Sequence, residues 1–328
     1  MHMNARNWKW PRALLTAPLL AALGGCGMVV MDPSGDVARQ EADLVLWSVW
    51  LMLLIIIPVM VLTVVFAWRY RASNRDRDES DYQPDWDHST ALELVIWSCP
   101  LLIVIALGAL TWGATHTLDP YRPLGRIAPG KPVPADQKPL EVQVVSLDWK
   151  WLFIYPEQGV ASVNELVVPV DRQVRFRMTS AGVMNTFYVP AMAGMIYTMA
   201  GMETKLHAVL NKPGNYAGMS ANYSGAGFSG MNFRTHAVDA AAFDRWIGKV
   251  KASGGARLDA AGYLRLEQPS ERTPVTWFPA VEQGLFDRAV NLCVKPGTPC
   301  MSESMRHAGA AADPSHQSHG ATAPATGA

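Results

Sequence analysis

Three apolar runs occupy the first third of the chain, and a period-two pattern follows them. The first run, ALLTAPLLAAL at 13–23, comes after Arg6, Lys9 and Arg12 and is too short to cross a bilayer. Basic residues before a short apolar core are the pattern of a signal peptide. The second run, 44–68, and the third, 94–112, contain no charged residue. At about 1.5 Å per residue, each is long enough for a hydrocarbon core of ~30 Å, so the pattern predicts two membrane helices. Trp47, Trp50 and Trp68 stand toward the ends of one run, and Trp97 and Trp112 on the other, where aromatic belts form. Pro58 and Pro100 fall inside the runs, which neighbouring helices make tolerable.

From Pro139 the chain alternates apolar and polar positions between turn residues. LEVQVVSL (140–147), SVNELVV (162–168), QVRFRMTS (173–180), TFYVP (186–190) and TKLHAVL (204–210) read as short strands, the pattern of a β-sandwich or Greek-key barrel. DAAAFDRWIGKVKAS (239–253) reads as a helix, with Asp239 as cap and Phe243, Trp246, Ile247 and Val250 on one stripe. A second short helix is expected near Leu285–Val290. The segment 114–138 is proline-rich and reads as a linker, and the Ala/Gly/Ser tail with His307, His316 and His319 as disordered. Between the strand-like segments KLHAVL (205–210) and MNFRTHAV (231–238), Gly218 to Met231 reads GMSANYSGAGFSGM, too rich in glycine for a helix or a regular strand.

Charge sets the orientation. Lys+Arg and Asp+Glu balance at 28 each, which leaves no basic surplus for nucleic acid. Arg69, Arg71, Arg75 and Arg77 directly follow the first span, so the positive-inside rule places the 69–91 loop in the cytoplasm and both flanks outside. Leu23-Gly24-Gly25-Cys26 resembles a bacterial lipobox, which implies that Cys26 is acylated and becomes the mature N-terminus. The alternative is an ordinary signal peptide with an incidental cysteine.

The expected segments are therefore a lipoprotein signal peptide (1–25), a periplasmic N-terminal segment (26–43), membrane helices at 44–68 and 92–113, and the 69–91 loop between them. A linker (114–138), the sandwich (139–238), a helical extension (239–300) and the tail (301–328) complete the chain.

Candidate chemistry is sparse. Glu93 opens the second span at its cytoplasmic end, where an ionisable residue either takes up protons or merely snorkels to the headgroups. Cys293 and Cys300 enclose a turn-rich loop that an exported domain can close with a disulfide. In DWKWLFIYPEQG (148–159), strand alternation puts Trp149, Trp151, Phe153 and Tyr155 on one face and Lys150 opposite. That face is either sandwich core or a stripe for a partner or an electron path.

Taken position by position, the 218–231 loop resembles the cupredoxin domain of subunit II of the haem–copper oxidases. In the members that oxidise cytochrome c, two coppers sit on a Cys-x3-Cys-x3-His-x2-Met run and an upstream histidine, with a glutamate carbonyl between the cysteines. Here Ser220 and Ser224 stand at the cysteine positions, Asn222 at the glutamate, Phe228 at the loop histidine and Asn185 at the upstream histidine. Only Met231 is retained. Soft thiolate and imidazole ligands suit copper, and hydroxyls and amides do not replace them. With DWKWLFIYPEQG, YSGAGFSGM and MAGMETKLH, the chain resembles subunit II of cytochrome bo-type ubiquinol oxidases from Cys26 to about Val290.

That resemblance implies a two-helix membrane hairpin carrying an all-β, cupredoxin-like Greek-key sandwich with short C-terminal helices, in the bacterial inner membrane. It implies a subunit of a proton-pumping oxidase that passes electrons from ubiquinol to dioxygen. No cofactor is expected on this chain; haems and copper belong to subunit I, with subunits III and IV and membrane lipid as further partners. It also places Glu93, in His88-Ser89-Thr90-Ala91-Leu92-Glu93, near the mouth of a proton channel of subunit I.

The competing readings are a copper-bearing cytochrome c oxidase subunit, a free-standing binding or sensory lipoprotein with a cupredoxin fold, and a copper-delivery factor using Met192, Met195, Met199 and Met202.

Overall fold

The computed structural model describes residues 28–71 and 85–305. Cys26 and the rest of 1–27, Arg75 and Arg77 in the loop, and His307, His316 and His319 in the tail lie outside the described residues.

The two apolar runs form helices α1 (Asp36–Arg69, 34 residues) and α2 (Thr90–Thr117, 28 residues), which pack against each other. Both are long and apolar enough to cross a membrane. Each continues through its proline, Pro58 in α1 and Pro100 in α2. Trp47, Trp50, Trp68, Trp97 and Trp112 all project outward, as side chains at a lipid boundary do.

The expected linker holds structure of its own. β1 (Arg126–Ala128) and β2 (Lys131–Pro132) pair across a turn at Gly130, where φ is +73°. Ile127 is buried there and Arg126 reaches Asp36 of α1, so burial and an ion pair order a segment whose prolines suggested none.

The remaining strands build two sheets. The larger contains β3 (Leu140–Leu147), β4 (Lys150–Tyr155), β5 (Val160–Val163), β7 (Val174–Ser180), β10 (Thr204–Ala208) and β13 (Thr276–Phe278), in the order β10-β7-β3-β4-β5-β13. The smaller contains β6 (Glu165–Pro169), β8 (Asn185–Tyr188), β9 (Ile196–Thr198), β11 (Gly214–Ser220) and β12 (Asn232–Val238), in the order β6-β12-β11-β8-β9. β3 with β7 and β6 with β12 are parallel pairs, so the chain crosses between sheets rather than meandering.

SVNELVV is the clearest correction to the periodic reading. It is two strands in different sheets, β5 and β6, broken at Asn164 in the left-handed region at φ +57°. The Asn164 side chain fixes the corner, accepting from the Trp151 N–H (2.8 Å) and donating to the Thr273 carbonyl (2.8 Å). Asparagine tolerates that conformation better than a β-branched residue such as its neighbour Val163.

β4 shows what each face covers. Trp151, Phe153 and Tyr155 point between the sheets and are wholly buried, the first two against Phe187 and Phe233 and Tyr155 against Phe243 and Trp246. They are core, which corrects the stripe reading for these three: with no surface, they cannot meet a partner. Leu152 and Ile154 point the other way and are also buried, beneath α4 (Ala260–Glu267), β13 and α5 (Leu285–Val290).

This C-terminal arm covers the outer face of the larger sheet, with Tyr263, Phe278, Leu285 and Phe286 as its apolar side. Sequence periodicity missed α4, a two-turn helix containing Gly262; Asp259 caps it by accepting from Gly262 N–H at 2.7 Å. α3 (Ala240–Lys251) has the expected Asp239 cap, accepting from Ala242 N–H. Lys150 is buried, its Nζ donating to the carbonyls of Asp148 and Gln268 and so tying the sheet to the arm. Cys293 and Cys300 are disulfide-bonded, with Cα atoms 4.9 Å apart.

The sandwich is seated on α1 through backbone. Ser34 and Gly35 N–H groups both donate to the Ala191 carbonyl at 2.9 Å, and Asn211 N–H donates to the Ser34 carbonyl at 2.8 Å.

Candidate functional site

The 218–231 loop begins as strand. Gly218, Met219 and Ser220 close β11, correcting the expectation that the whole stretch is irregular. Strands on both sides supply the reason: Met219 pairs with Tyr188 of β8 and Asn232 of β12. Such pairing outweighs the low strand propensity of glycine. The glycine is needed here, because a Cβ at Gly218 would lie 2.2 Å from the Phe233 ring.

Beyond Ser220 the chain turns, makes a 3-10 turn at Phe228–Gly230 and enters β12. Trp149 forms the floor under this turn. It stands just before β4 at φ +61°, out of the strand that carries the other three aromatics. Its Nε1–H donates to the Ser224 carbonyl at 3.0 Å. A Cβ on Gly227 would fall 2.4 Å from the indole, so only glycine fits against it. The fourth aromatic of the predicted stripe therefore shapes the loop.

The structure brings together five of the six positions that the resemblance sets against copper ligands. Ser220 Oγ lies 3.1 Å from Asn185 Oδ1 and 3.3 Å from the Asn222 carbonyl, and it accepts from Thr186 N–H at 3.4 Å. Asn185 Nδ2 donates to the Val183 carbonyl and Asn222 Nδ2 to the Met184 carbonyl, each at 3.0 Å. Ser224 Oγ is 4.0 Å from the sulfur of Met231, itself buried in the sandwich core. Phe228 stands apart, its ring edge-on to Tyr223 at 5.6 Å.

The donors are hydroxyls, amides and one thioether, most already committed to protein partners. Such a set does not fit copper, which takes thiolate and imidazole from sites of this kind. Among the described residues no group of three or more His, Cys, Asp or Glu side chains has the geometry of a metal site.

The methionines of AMAGMIYTMAGM do not share one environment: Met192 lies in the core while Met195 and Met202 are exposed.

At the opposite end of the molecule, Glu93 lies in the first turn of α2, where the helix dipole favours a carboxylate. His88 Nδ1 is 2.7 Å from its Oε1, and His88 Nε2 is 3.1 Å from Thr90 Oγ1. Both partners are exposed. His88 was visible in sequence only as part of a motif; its turn back onto Glu93 is a product of the fold.

Two family descriptions match the chain: "Cytochrome C oxidase subunit II, periplasmic domain" over residues 141–238 and "COX Aromatic Rich Motif" over 251–297. The second coincides with most of the C-terminal arm. Among curated relatives, a cytochrome bo(3) ubiquinol oxidase subunit 2 of Pseudomonas putida is 47% identical over 285 residues, covering 86% of this chain and 87% of the relative. Its counterpart in Pseudomonas aeruginosa is 46% identical, covering 92% and 86%. A ubiquinol oxidase subunit 2 of Acetobacter aceti is 47% identical, covering 82% and 83%.

Proposed function

The chain belongs to the ubiquinol oxidase subunit 2 family, and from that premise we propose that it serves a quinol-fed, oxygen-reducing complex as a subunit without a redox centre of its own. The observation that carries this reading is the loop around Ser220, whose side chains bond to one another and to backbone and offer neither thiolate nor imidazole. A soluble cytochrome delivers electrons from outside the membrane and needs an outer copper port. Ubiquinol is lipophilic and delivers them from within the bilayer, so the port is dispensable.

On this reading the haems, the copper and the quinol site belong to subunit I, with subunits III and IV completing a proton-translocating assembly. The chain caps subunit I from the periplasmic side, with Cys26 lipid-modified and the 69–91 loop in the cytoplasm. Purification in mild detergent tests it. Haem-bearing subunit I and ubiquinol oxidase activity should accompany the chain, with no copper assignable to its outer domain. A solitary chain, or two coppers on that domain, would overturn the reading. Acylation is read separately, from a mature N-terminal mass that loses its lipid in Cys26→Ala.

Glu93 is assigned a role in proton uptake at the cytoplasmic face. Its support is an exposed carboxylate at a helix start, hydrogen-bonded to a histidine. Glu93→Ala should slow turnover and proton uptake together, and Glu93→Asp less so. Unchanged rates in the alanine variant would remove the assignment.

A further inference from the structure

A cavity of about 400 Å³ lies where the outer ends of α1 and α2 meet the sandwich, within the size range of small-molecule sites. Its depth in the membrane can be worked out. Glu41, on its wall, precedes the apolar run at Leu44 by three residues, about 4.5 Å of helix. Thr117, on the opposite wall, follows Trp112 by five residues, about 7.5 Å. The headgroup layer of one leaflet is roughly 5–7 Å thick. The cavity therefore opens at headgroup level.

Its walls carry both signs of charge with unused bonding capacity. Arg126 gives Nε to Asp36 at 2.8 Å, and its two terminal NH₂ groups make no hydrogen bond among the described residues. Arg122 stands nearby, donating one N–H to the His116 carbonyl. Glu41 accepts from Gly194 N–H through Oε1 at 3.0 Å, while Oε2 has no partner among the described residues. Asp119 adds a further carboxylate on the rim. His207 also lines the cavity; burial, with Arg175 and Lys205 nearby, lowers its pKa and so disfavours the charged form.

A bare anion in this cavity meets three carboxylates, and a bare cation meets two guanidiniums. A zwitterion satisfies both sets. The guanidinium fork is shaped for phosphate, and Glu41 Oε2 calls for an N–H donor, which a primary ammonium has and a quaternary one lacks.

We propose that this cavity binds the phosphoethanolamine headgroup of an outer-leaflet phospholipid, with the phosphate on Arg126 and Arg122 and the ammonium on Glu41. The recognised chemistry is a phosphate joined to a primary ammonium. Its position in the headgroup layer makes lipid the source rather than a soluble metabolite. The site ties a lipid molecule to the junction of membrane helices and sandwich, and it needs nothing from the electron donor.

The test uses the purified complex containing this chain, washed with detergent and then given phosphatidylethanolamine, phosphatidylcholine or soluble phosphorylethanolamine. Bound lipid is counted by native mass spectrometry and thermal shift is read in parallel. Wild type should retain one more phosphatidylethanolamine per complex than Glu41→Gln or Arg126→Gln, and Arg126→Lys should keep part of the binding. Phosphatidylethanolamine should raise the wild-type melting temperature, phosphatidylcholine should not, and the soluble headgroup should not substitute at equal concentration.

Equal lipid counts in wild type and both glutamine variants would show that protein fills the cavity and overturn the proposal. So would equivalence of the two lipids, or stabilisation by the soluble headgroup alone. The wild-type thermal shift needs no variant, so a misfolded substitution leaves the question decidable. Lipid counts are read whether or not the complex oxidises quinol, so this proposal and the proposed function fail separately.

Discussion

Tyr155→Phe removes one oxygen atom from the sandwich core and should cost more than its size suggests. The Tyr155 hydroxyl crosses from the larger sheet to β6, an edge strand of the smaller one. There it donates to the Val167 carbonyl at 3.0 Å and accepts from the Val167 N–H at 2.9 Å. One side chain thus satisfies the two backbone groups of Val167 that lack a ladder partner, in a fully buried place.

The phenylalanine variant leaves both groups dry and unpaired. Each buried unsatisfied group costs about 1–3 kcal/mol, so the expected destabilisation is roughly 2–5 kcal/mol. At roughly 2–4 °C per kcal/mol for a domain of this size, the melting temperature should fall by about 5–15 °C. Near-ultraviolet circular dichroism of the detergent-solubilised chain follows the sandwich without the membrane helices dominating.

An alkaline titration gives an independent reading. Burial first, and Glu165 nearby, push the Tyr155 pKa above its ordinary value, against opposing hydrogen bonds from Val167 and Ser162. A raised folded-state pKa means stability is full below the unfolded value near 10 and falls as pH rises beyond it. Tyr155→Phe should flatten that decline, leaving the part due to Tyr263, which burial also raises. A melting temperature within about 1 °C of wild type, with an unchanged alkaline slope, would refute the reasoning.

Further predictions concern the junction, the loop and the arm. Gly35→Ala sets a Cβ 2.3 Å from the Val209 carbonyl oxygen and 2.5 Å from that of Met192. Backbone cannot swing aside, so a loss of about 1–3 kcal/mol should appear as faster proteolysis between α1 and the sandwich. Restoring ligands with Asn185→His, Ser220→Cys, Asn222→Glu, Ser224→Cys and Phe228→His together should bring bound copper, measured by metal analysis and visible absorbance; absence of copper would show that the loop's geometry has diverged as well. Cys293→Ser opens a loop of sequence separation 7 and should lower arm stability by about 2 kcal/mol, seen as earlier loss of arm protection in hydrogen exchange. Glu203 is held below the usual carboxylate range chiefly by its hydrogen bond from Arg177, so its contribution is present above pH ~4.5 and lost on acidification. Arg177→Gln should shrink the acid-side loss of stability in a melting-temperature profile.

How much was legible in the sequence depended on whether the signal was local. The membrane helices follow from uninterrupted apolar length, and α3 from a cap and one apolar stripe, because each needs only neighbours in the chain. The candidate loop was legible through the residue types it lacks, since the presence or absence of cysteine and histidine is recorded in primary structure.

Period-two alternation, by contrast, assigns side chains to faces without saying what lies over each face. Trp151 and Leu152 are adjacent and both buried, one between the sheets and the other under an arm more than a hundred residues away in sequence. Trp149 read as a member of the stripe until a left-handed backbone turned it beneath Gly227. SVNELVV read as one strand because nothing in its pattern records the corner at Asn164.

The sequence by itself determined the membrane spans, the β-rich outer domain and the absence of cysteine and histidine from the loop at 218–231. Composition, hydropathic length and residue identity carry those properties without any fold. Tertiary structure alone decided that Ser220 and Asn185 bond to one another, that His88 turns onto Glu93, and that Arg126 meets Asp36 across ninety residues. It also decided that charges of both signs surround one cavity between the helix ends and the sandwich. The reason is that hydrogen bonds and ion pairs act over about 3 Å in space, and sequence distance carries no record of which groups the crossing strands bring that close.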